Sequence, residues 1–518
     1  MSHKNRRQFL RQSTAIATMG SAGAWLANMS AIQQASAATA AASDYKALVC
    51  IFMNGGNDGH NTVVPTDATS WRCYSATRDP QVMAQLNGTT APEGTTSIAL
   101  DKATLLSINH LNKKSLNTGR TFGLHPQLKK IQQLYAQASV AIVANIGPLI
   151  QPTTKVDLWD ESFAIPKKLF SHNDQTSTWQ SFGAEGTTGG WGGLFTDKLA
   201  SRNVNATFSS VGVDVTPVWL TGKTTQAYAM GSNGYEVMGG SSGQLFGSPT
   251  LFQALRTAAT SSTRNDVVVN DYLQVANRAL SSEAALKQSM PSQFMAPWGT
   301  AGVNSAAADP LLKYTDPKDG KSYLNPLAQQ LQVVARTIAA RNDSAMGARR
   351  QVFMVNLGGF DTHNDQLAQQ ASQLAKIDHA VDYFVKCLAA MPGGDMRSQV
   401  TTFTASEFGR ALVNNGDGSD HGWGNHQFVI GGAVKGAEIY GRYPQFMAFD
   451  GEGGFFSNQL MDNGGALLPE ISVDQLAYTL GKWMGVSEVD LVGATPGTGI
   501  APNIGNFNVA DRDLGFMV

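Results

Sequence analysis

Three acids in this chain stand just past runs of apolar, β-prone residues. Asp58 follows Leu48 to Met53, in the turn Asn54-Gly55-Gly56-Asn57-Asp58. Asp361 follows Val352 to Leu357, in Gly358-Gly359-Phe360-Asp361-Thr362-His363. Glu407 follows Val400 to Thr404, in Ala405-Ser406-Glu407-Phe408-Gly409-Arg410. A fourth polar turn, Gly416 to Asn425, carries Asp420 and His421, with His426 just beyond it. Carboxylates and imidazoles converging from separate segments are the ligands of hard and borderline divalent cations, and metal-assisted hydrolysis needs such convergence. Asp361 and His363 are two apart, which on extended backbone puts both on one face, able to hold the same ion. Three acids gathered without a cation would repel one another. A metal, or Arg410, would relieve that. Candidate metal ligands are therefore Asp58, Asp361, His363, Glu407, His421 and His426.

Ser171, beside His172 and ahead of Thr176, Ser177 and Thr178, is the candidate nucleophile. A hydroxyl attacks at neutral pH only when a base or metal activates it. Adjacent side chains usually point apart, so Ser171 and His172 do not read as a dyad. Simpler roles exist for all of these residues. Asp58 also suits a plain turn, Asp361 to His363 a helix cap, and Glu407 with Arg410 an ordinary ion pair. His421 and His426 also suit a surface loop. His60, His110, His125 and His379 read as structural.

The elements that must position these groups alternate between strand and helix. Leu48 to Met53 reads as a buried strand, and in open α/β sheets ligands sit beyond the strands' carboxyl ends. A helix from His125-Pro126 precedes a strand at Val140 to Asn145; Asn325-Pro326 opens another helix, with Leu327, Leu331, Val334 and Ile338 on one stripe. A long helix follows His363, with Leu367, Leu374, Val381, Phe384 and Leu388 on one face. Phe428-Val429-Ile430 is a further strand, and Ser472 to Val486 a capped amphipathic helix. Residues 66–120 read as loop with short elements, and Asn173 or Asp174 as a helix cap. The fold class expected is α/β, a doubly wound and mostly parallel sheet with helices on both faces. Residues 44–518 form one domain, with a cap or insertion at about 200–310.

At 518 residues the chain can bury a large core, and its 15% charged residues and 53 glycines suit a loop-rich, extracytoplasmic protein. Asn5-Arg6-Arg7-Gln8-Phe9-Leu10-Arg11, a moderately apolar segment and Ala35-Ser36-Ala37 form an export signal over residues 1–37. Loss of its four positive charges takes the formal net charge from −1 to −5. A mildly acidic chain without a basic run excludes nucleic acid and anionic membrane surfaces as partners. Three cysteines, Cys50, Cys73 and Cys387, leave room for at most one disulfide and show no metal spacing. There is no G-x-x-x-x-G-K-[ST] loop and no dinucleotide fingerprint.

Taken in order, the twin-arginine signal, FMNGGNDGHNTVVP, FSHNDQ, GGFDTHNDQ, SEFGR and DHGWGNHQFVIGGAVKG resemble a large bacterial family of exported proteins. That family is catalogued as a domain of unknown function and described as sulfatase-like, a distant branch of the alkaline phosphatase superfamily. The resemblance implies folded export by the twin-arginine pathway to the periplasm or outside, and no membrane attachment once the signal is cleaved. It also implies a divalent metal (zinc, manganese, magnesium or calcium), Ser171 in the nucleophile region, and a small anionic ester as substrate. Glu407 stands where an Asp-His-Gly motif would begin, and Phe408 where that motif has its metal-binding His. The expected function is a metal-dependent hydrolase of phosphate or sulfate esters, with Arg410 holding the anionic group. The alternative is a non-catalytic binding or assembly protein on an eroded hydrolase fold, acting with a co-exported partner.

Overall fold

The computed structural model describes residues 44–235, 243–260, 267–445 and 464–518; the expected export signal lies outside them. Eleven strands matter for the site. They are β1 (Lys46–Met53), β2 (Val140–Gly147), β3 (Ser210–Val213), β4 (Tyr228–Met230), β5 (Arg350–Leu357) and β6 (Val400–Ala405). The rest are β7 (Arg410–Asn414), β8 (Ser419–His421), β9 (Asn425–Ile430), β10 (Glu438–Tyr440) and β11 (Ile471–Ser472). The main sheet runs β10-β2-β9-β6-β1-β5-β3-β4, and β11 pairs with β2. β1 lies at its centre, parallel to β5 and β6, so the turns after these three strands open on the same edge. β9 runs antiparallel between β6 and β2, and β7 and β8 form a hairpin beside that edge.

Alternate residues of a strand face opposite sides, and β1 shows the consequence. Val49 and Ile51 join the core made with α2 (Lys129–Ala136), α5 (Pro326–Ala339) and α6 (Gln366–Ala389). Leu48, Cys50 and Phe52 join the opposite core with α3 (His172–Ser181), α4 (Trp191–Leu199) and α7 (Val473–Met484). Burying each large apolar side chain is worth about 1.5–3 kcal/mol. Trp179, Trp191 and Trp219 close around Phe403 of β6 and fix α3 and α4 against the sheet.

The α/β class and the mostly parallel sheet agree with the expectation. Asn325 caps α5 through Leu327 and Ala328 N–H, and Ser472 with Gln475 makes a capping box at α7. Two regions differ. The expected loop at 66–120 holds α1 (Ala68–Arg78), capped by Asp67. Its buried face is Ser70, Cys73, Tyr74, Ala76 and Arg78, too polar to show as an apolar stripe. The expected insertion at 200–310 supplies β3 and β4, which extend the main sheet. All three cysteines are free and buried. Among the described residues, no helix is long and apolar enough to cross a membrane.

Candidate metal centre

Three elements bring imidazoles and carboxylates to the carboxyl edge. Ser171 caps α3, its Oγ donating to Asp174 Oδ2 at 2.8 Å, and this sets His172 as the first helical residue, facing the ends of β5 and β6. The turn after β5 delivers Asp361 and His363. The β7–β8 hairpin delivers Asp420 and His421. These turns pack closely because of two glycines. Gly55 has φ +115°, and a Cβ there would sit 2.3 Å from Asp361 N; Gly56 has φ +80°, and a Cβ there would strike the Phe408 ring at 2.2 Å. Positive φ and this proximity both require glycine.

The Nε2 atoms of the three histidines meet at Asp361. His421 Nε2 lies 3.2 Å from Asp361 Oδ1 and 3.0 Å from His363 Nε2. His363 Nε2 is 3.1 Å from Asp361 Oδ1, and His172 Nε2 is 3.5 Å from Asp361 Oδ2. Ligand atoms of His172, Asp361 and His421 all lie within 4.8 Å of one another. Bonds of 2.0–2.1 Å in a tetrahedron place ligand atoms about 3.3 Å apart. His172, Asp361 and His421 together could hold one ion, and His363 lies beside them.

The far sides of the His172 and His421 rings are hydrogen-bonded to acceptors, and that of His363 has Asp420 near it. His172 Nδ1 is 2.9 Å from Glu407 Oε1, His421 Nδ1 is 2.7 Å from the Phe170 carbonyl, and His363 Nδ1 is 3.3 Å from Asp420 Oδ1. A proton held at Nδ1 leaves the Nε2 lone pair facing the cluster, as metal-binding histidines require. Glu407 is itself buried and fixed by the Gly55 N–H at 2.8 Å. Phe408 is a buried wall packed on two of the rings, with centroids 4.9 Å from His172 and 4.6 Å from His421. Side-chain exposure of 37% at His172 and 45% at Asp361 leaves the cluster open on its outer side.

The local charges act as this geometry dictates. The hydrogen bond to Glu407 raises the pKa of His172 against the opposing effect of burial. Burial pushes Asp361 upward, but the hydrogen bond and charge of Arg410 outweigh it and hold the carboxyl low. Burial lowers His421.

The other expected residues lie behind the cluster or apart from it. Asp58 is fully buried in a fork with Arg78, 3.0 Å from Oδ1 to Nη2, and also accepts from Gln366 at 2.6 Å and His60 N at 3.0 Å. Its oxygens are thus occupied away from the open site. His426 is buried, accepts from Asn145 N at 3.0 Å and stacks on Tyr443; burial, then His60, lowers its pKa to about 3. Arg410 is fully buried and donates to Asp361 at 2.7 Å and to the Ser419 carbonyl, which orients Asp361 and leaves no face for a substrate anion. Glu407 reaches the cluster only through His172. His172 itself was not among the expected ligands. Its signal lay in Ser171-His172-Asn173-Asp174, where a Ser cap with Asp three residues on makes His172 the first residue of a helix.

Two clefts flank the cluster. One, of about 720 Å³, is lined by His172, Asn54, Thr176, Gln180 and Glu185 among others. The other, of about 470 Å³, is lined by His363, His421, Phe170, Val413 and Asp420 among others. Residues 45–493 match the model of a family described as Protein of unknown function (DUF1501). The chain belongs to that family. No curated protein matches the chain. In this family member the match spans every residue of the cluster and every strand of the main sheet.

Proposed function

We propose that the chain is a single-metal hydrolase of phosphate or sulfate esters, built on a sulfatase-like core. The observation that carries this reading is the cluster itself: two imidazoles and one carboxylate at ligand spacing, both rings backed by an acceptor, with clefts on two sides. A structural metal site would be closed, whereas a catalytic one keeps an open position. His172, His421 and Asp361 would hold the ion and leave a fourth position open, with His363 beside it. Imidazole-rich sites suit zinc or another transition metal better than magnesium or calcium, which favour oxygen ligands. When bound, the ion supplies Lewis acidity to the ester's non-bridging oxygen. Glu407 and the Phe170 carbonyl hold His172 and His421 in the ligating tautomer, Arg410 aims Asp361, and Phe408 excludes water from one side. Ser171 serves as a cap in this reading, so water is the attacking group.

We propose further that the protein acts after twin-arginine export, in the periplasm or outside, on a small ester substrate. The alternative reading, a binding or assembly protein with a co-exported partner, explains neither the open side of the cluster nor its clefts. The test is elemental analysis of natively exported protein, with aryl phosphate and sulfate hydrolysis before and after chelation. Stoichiometric metal is expected, with activity lost on chelation and restored by zinc or manganese. Protein that carries no stoichiometric metal and hydrolyses nothing would refute the proposal.

A further inference from the structure

We infer that the ester taken by this site carries one negative charge on the group being transferred, joined to an uncharged, hydrogen-bonding body. This rests on the hydrolase reading and narrows its substrate. Among the described residues, neither cleft has a lysine or arginine in its lining. The acids present are Glu185 and Glu407 on one side and Asp420 on the other. Of the cations in the surrounding segments, Arg410 is buried against Asp361, Lys168 lies 3.1 Å from Asp174 and Lys318 lies 3.2 Å from Asp365, and none of the three lines either cleft.

A phosphate monoester brings about two charges at neutral pH. Arg410 already offsets Asp361, and Glu407 is taken up by His172 and Gly55 N–H, so the second charge would lie beside Asp420 and Glu185 with no cation among the described lining residues to meet it. A sulfate monoester or a phosphodiester brings only one. The wider cleft is lined by Asn54, Asn173, Thr176, Ser177, Gln180 and Thr187, groups that hydrogen-bond an uncharged polar body and offer no aromatic platform. In the reaction, the oxygen of water bonds to sulfur or phosphorus and the bond to the ester oxygen breaks. One water proton leaves with that oxygen as the alcohol. The other stays on the product acid or passes to solvent.

The experiment uses zinc-loaded full-length mature protein and two esters with one leaving group, methyl 4-nitrophenyl phosphate (singly charged) and 4-nitrophenyl phosphate (doubly charged). With each kcat/KM divided by the uncatalysed rate, the singly charged ester should lead by about tenfold or more, the scale of one unpaired charge near several carboxylates. 4-Nitrophenyl sulfate, the third arm, shows whether sulfur or phosphorus is preferred. Glu185→Lys adds a cation on an exposed lining residue outside the cluster, and should narrow the lead about threefold, within the range of surface charge pairs. Inhibition or calorimetric binding by dimethyl phosphate and methyl phosphate repeats the comparison without turnover. A preference for the doubly charged member in either arm would overturn the inference and leave the hydrolase reading intact. No hydrolysis of any ester would overturn that reading, and the binding arm would still decide the charge preference.

Discussion

Replacing Glu407 by Gln removes a charge from behind His172 and keeps the shape. In the wild type Glu407 Oε1 accepts from Gly55 N–H at 2.8 Å and lies 2.9 Å from His172 Nδ1. An amide oxygen in the same place accepts both hydrogen bonds, so the turn and the ring should hold their positions. What is lost is the carboxylate's support for an imidazole that donates its Nε2 pair to a cation. Outer groups of this kind are worth about 10–100-fold in metal affinity, which is ~1.4–2.7 kcal/mol. Glu407→Ala removes the acceptor as well, leaving the buried Gly55 N–H without its partner at a further cost of about 1–3 kcal/mol in stability. The assay is a zinc titration of chelator-stripped protein against a competing chelator near neutral pH, with melting curves of the metal-free forms. Glu407→Gln should weaken zinc by one to two decades (about 10–100-fold) while barely moving the metal-free melting temperature. Glu407→Ala should weaken both. If Glu407→Gln binds zinc as tightly as wild type, His172 is not held as a ligand by this carboxylate and the assignment of the centre fails.

Three other outcomes follow from the same geometry. Ser171→Ala should lose a helix cap, about 1 kcal/mol by urea unfolding, and keep metal and turnover; loss of turnover with metal retained would make Ser171 the nucleophile after all. Arg78→Met should leave the Asp58 charge buried without its fork and cost about 3–5 kcal/mol, with the metal content of the folded fraction unchanged; calorimetry showing undiminished stability would contradict that. Because the pKa of His172 is raised in the folded chain, its protonated form stabilises the metal-free protein below the ordinary histidine value. That contribution disappears as pH rises through the raised value, and zinc competes with the same proton. Across that window the metal-free melting temperature should fall while the stabilisation by added zinc grows; a zinc shift that shrinks with rising pH would count against His172 as a ligand.

How legible the centre was depended on distance along the chain. Asp361 and His363 stand out because both lie on one short extended turn after a strongly apolar strand. His421 was visible as part of a polar loop before β9. Asp58 shared every local sign with Asp361, an acid after a Gly-Gly turn, yet the two have opposite fates. The difference is Arg78, which is twenty residues away on a helix whose polar buried face shows no periodicity, so nothing beside Asp58 announced its partner. His172 was hidden for the converse reason: its direction is set by the capped start of α3, a geometric fact, while its composition resembles any Ser-rich turn. β3 and β4 were missed because strands of three and four residues give alternation too little length to register.

The buried Asp58 is nonetheless part of how the open cluster is held. Gln366 donates to Asp58 Oδ2 at 2.6 Å and accepts from Ser419 Oγ at 2.5 Å; Ser419 in turn takes Arg410 on its carbonyl, and Arg410 reaches Asp361 Oδ1 at 2.7 Å. A continuous chain of hydrogen bonds thus runs from a fully buried ion pair to the one carboxylate of the centre. Its last link matters chemically. Arg410 offsets the charge that Asp361 would give to a bound cation, and a cation that receives less charge from its ligands withdraws more from an ester oxygen. The same positive charge would also lower affinity for the ion, so the imidazoles of His172 and His421, each backed by its own acceptor, would be needed to retain it. In the proposed centre the acids at the ends of neighbouring strands would therefore divide the work: Asp361 would face the ion and Glu407 support a ligand, while Asp58 anchors the network that keeps Arg410 in place.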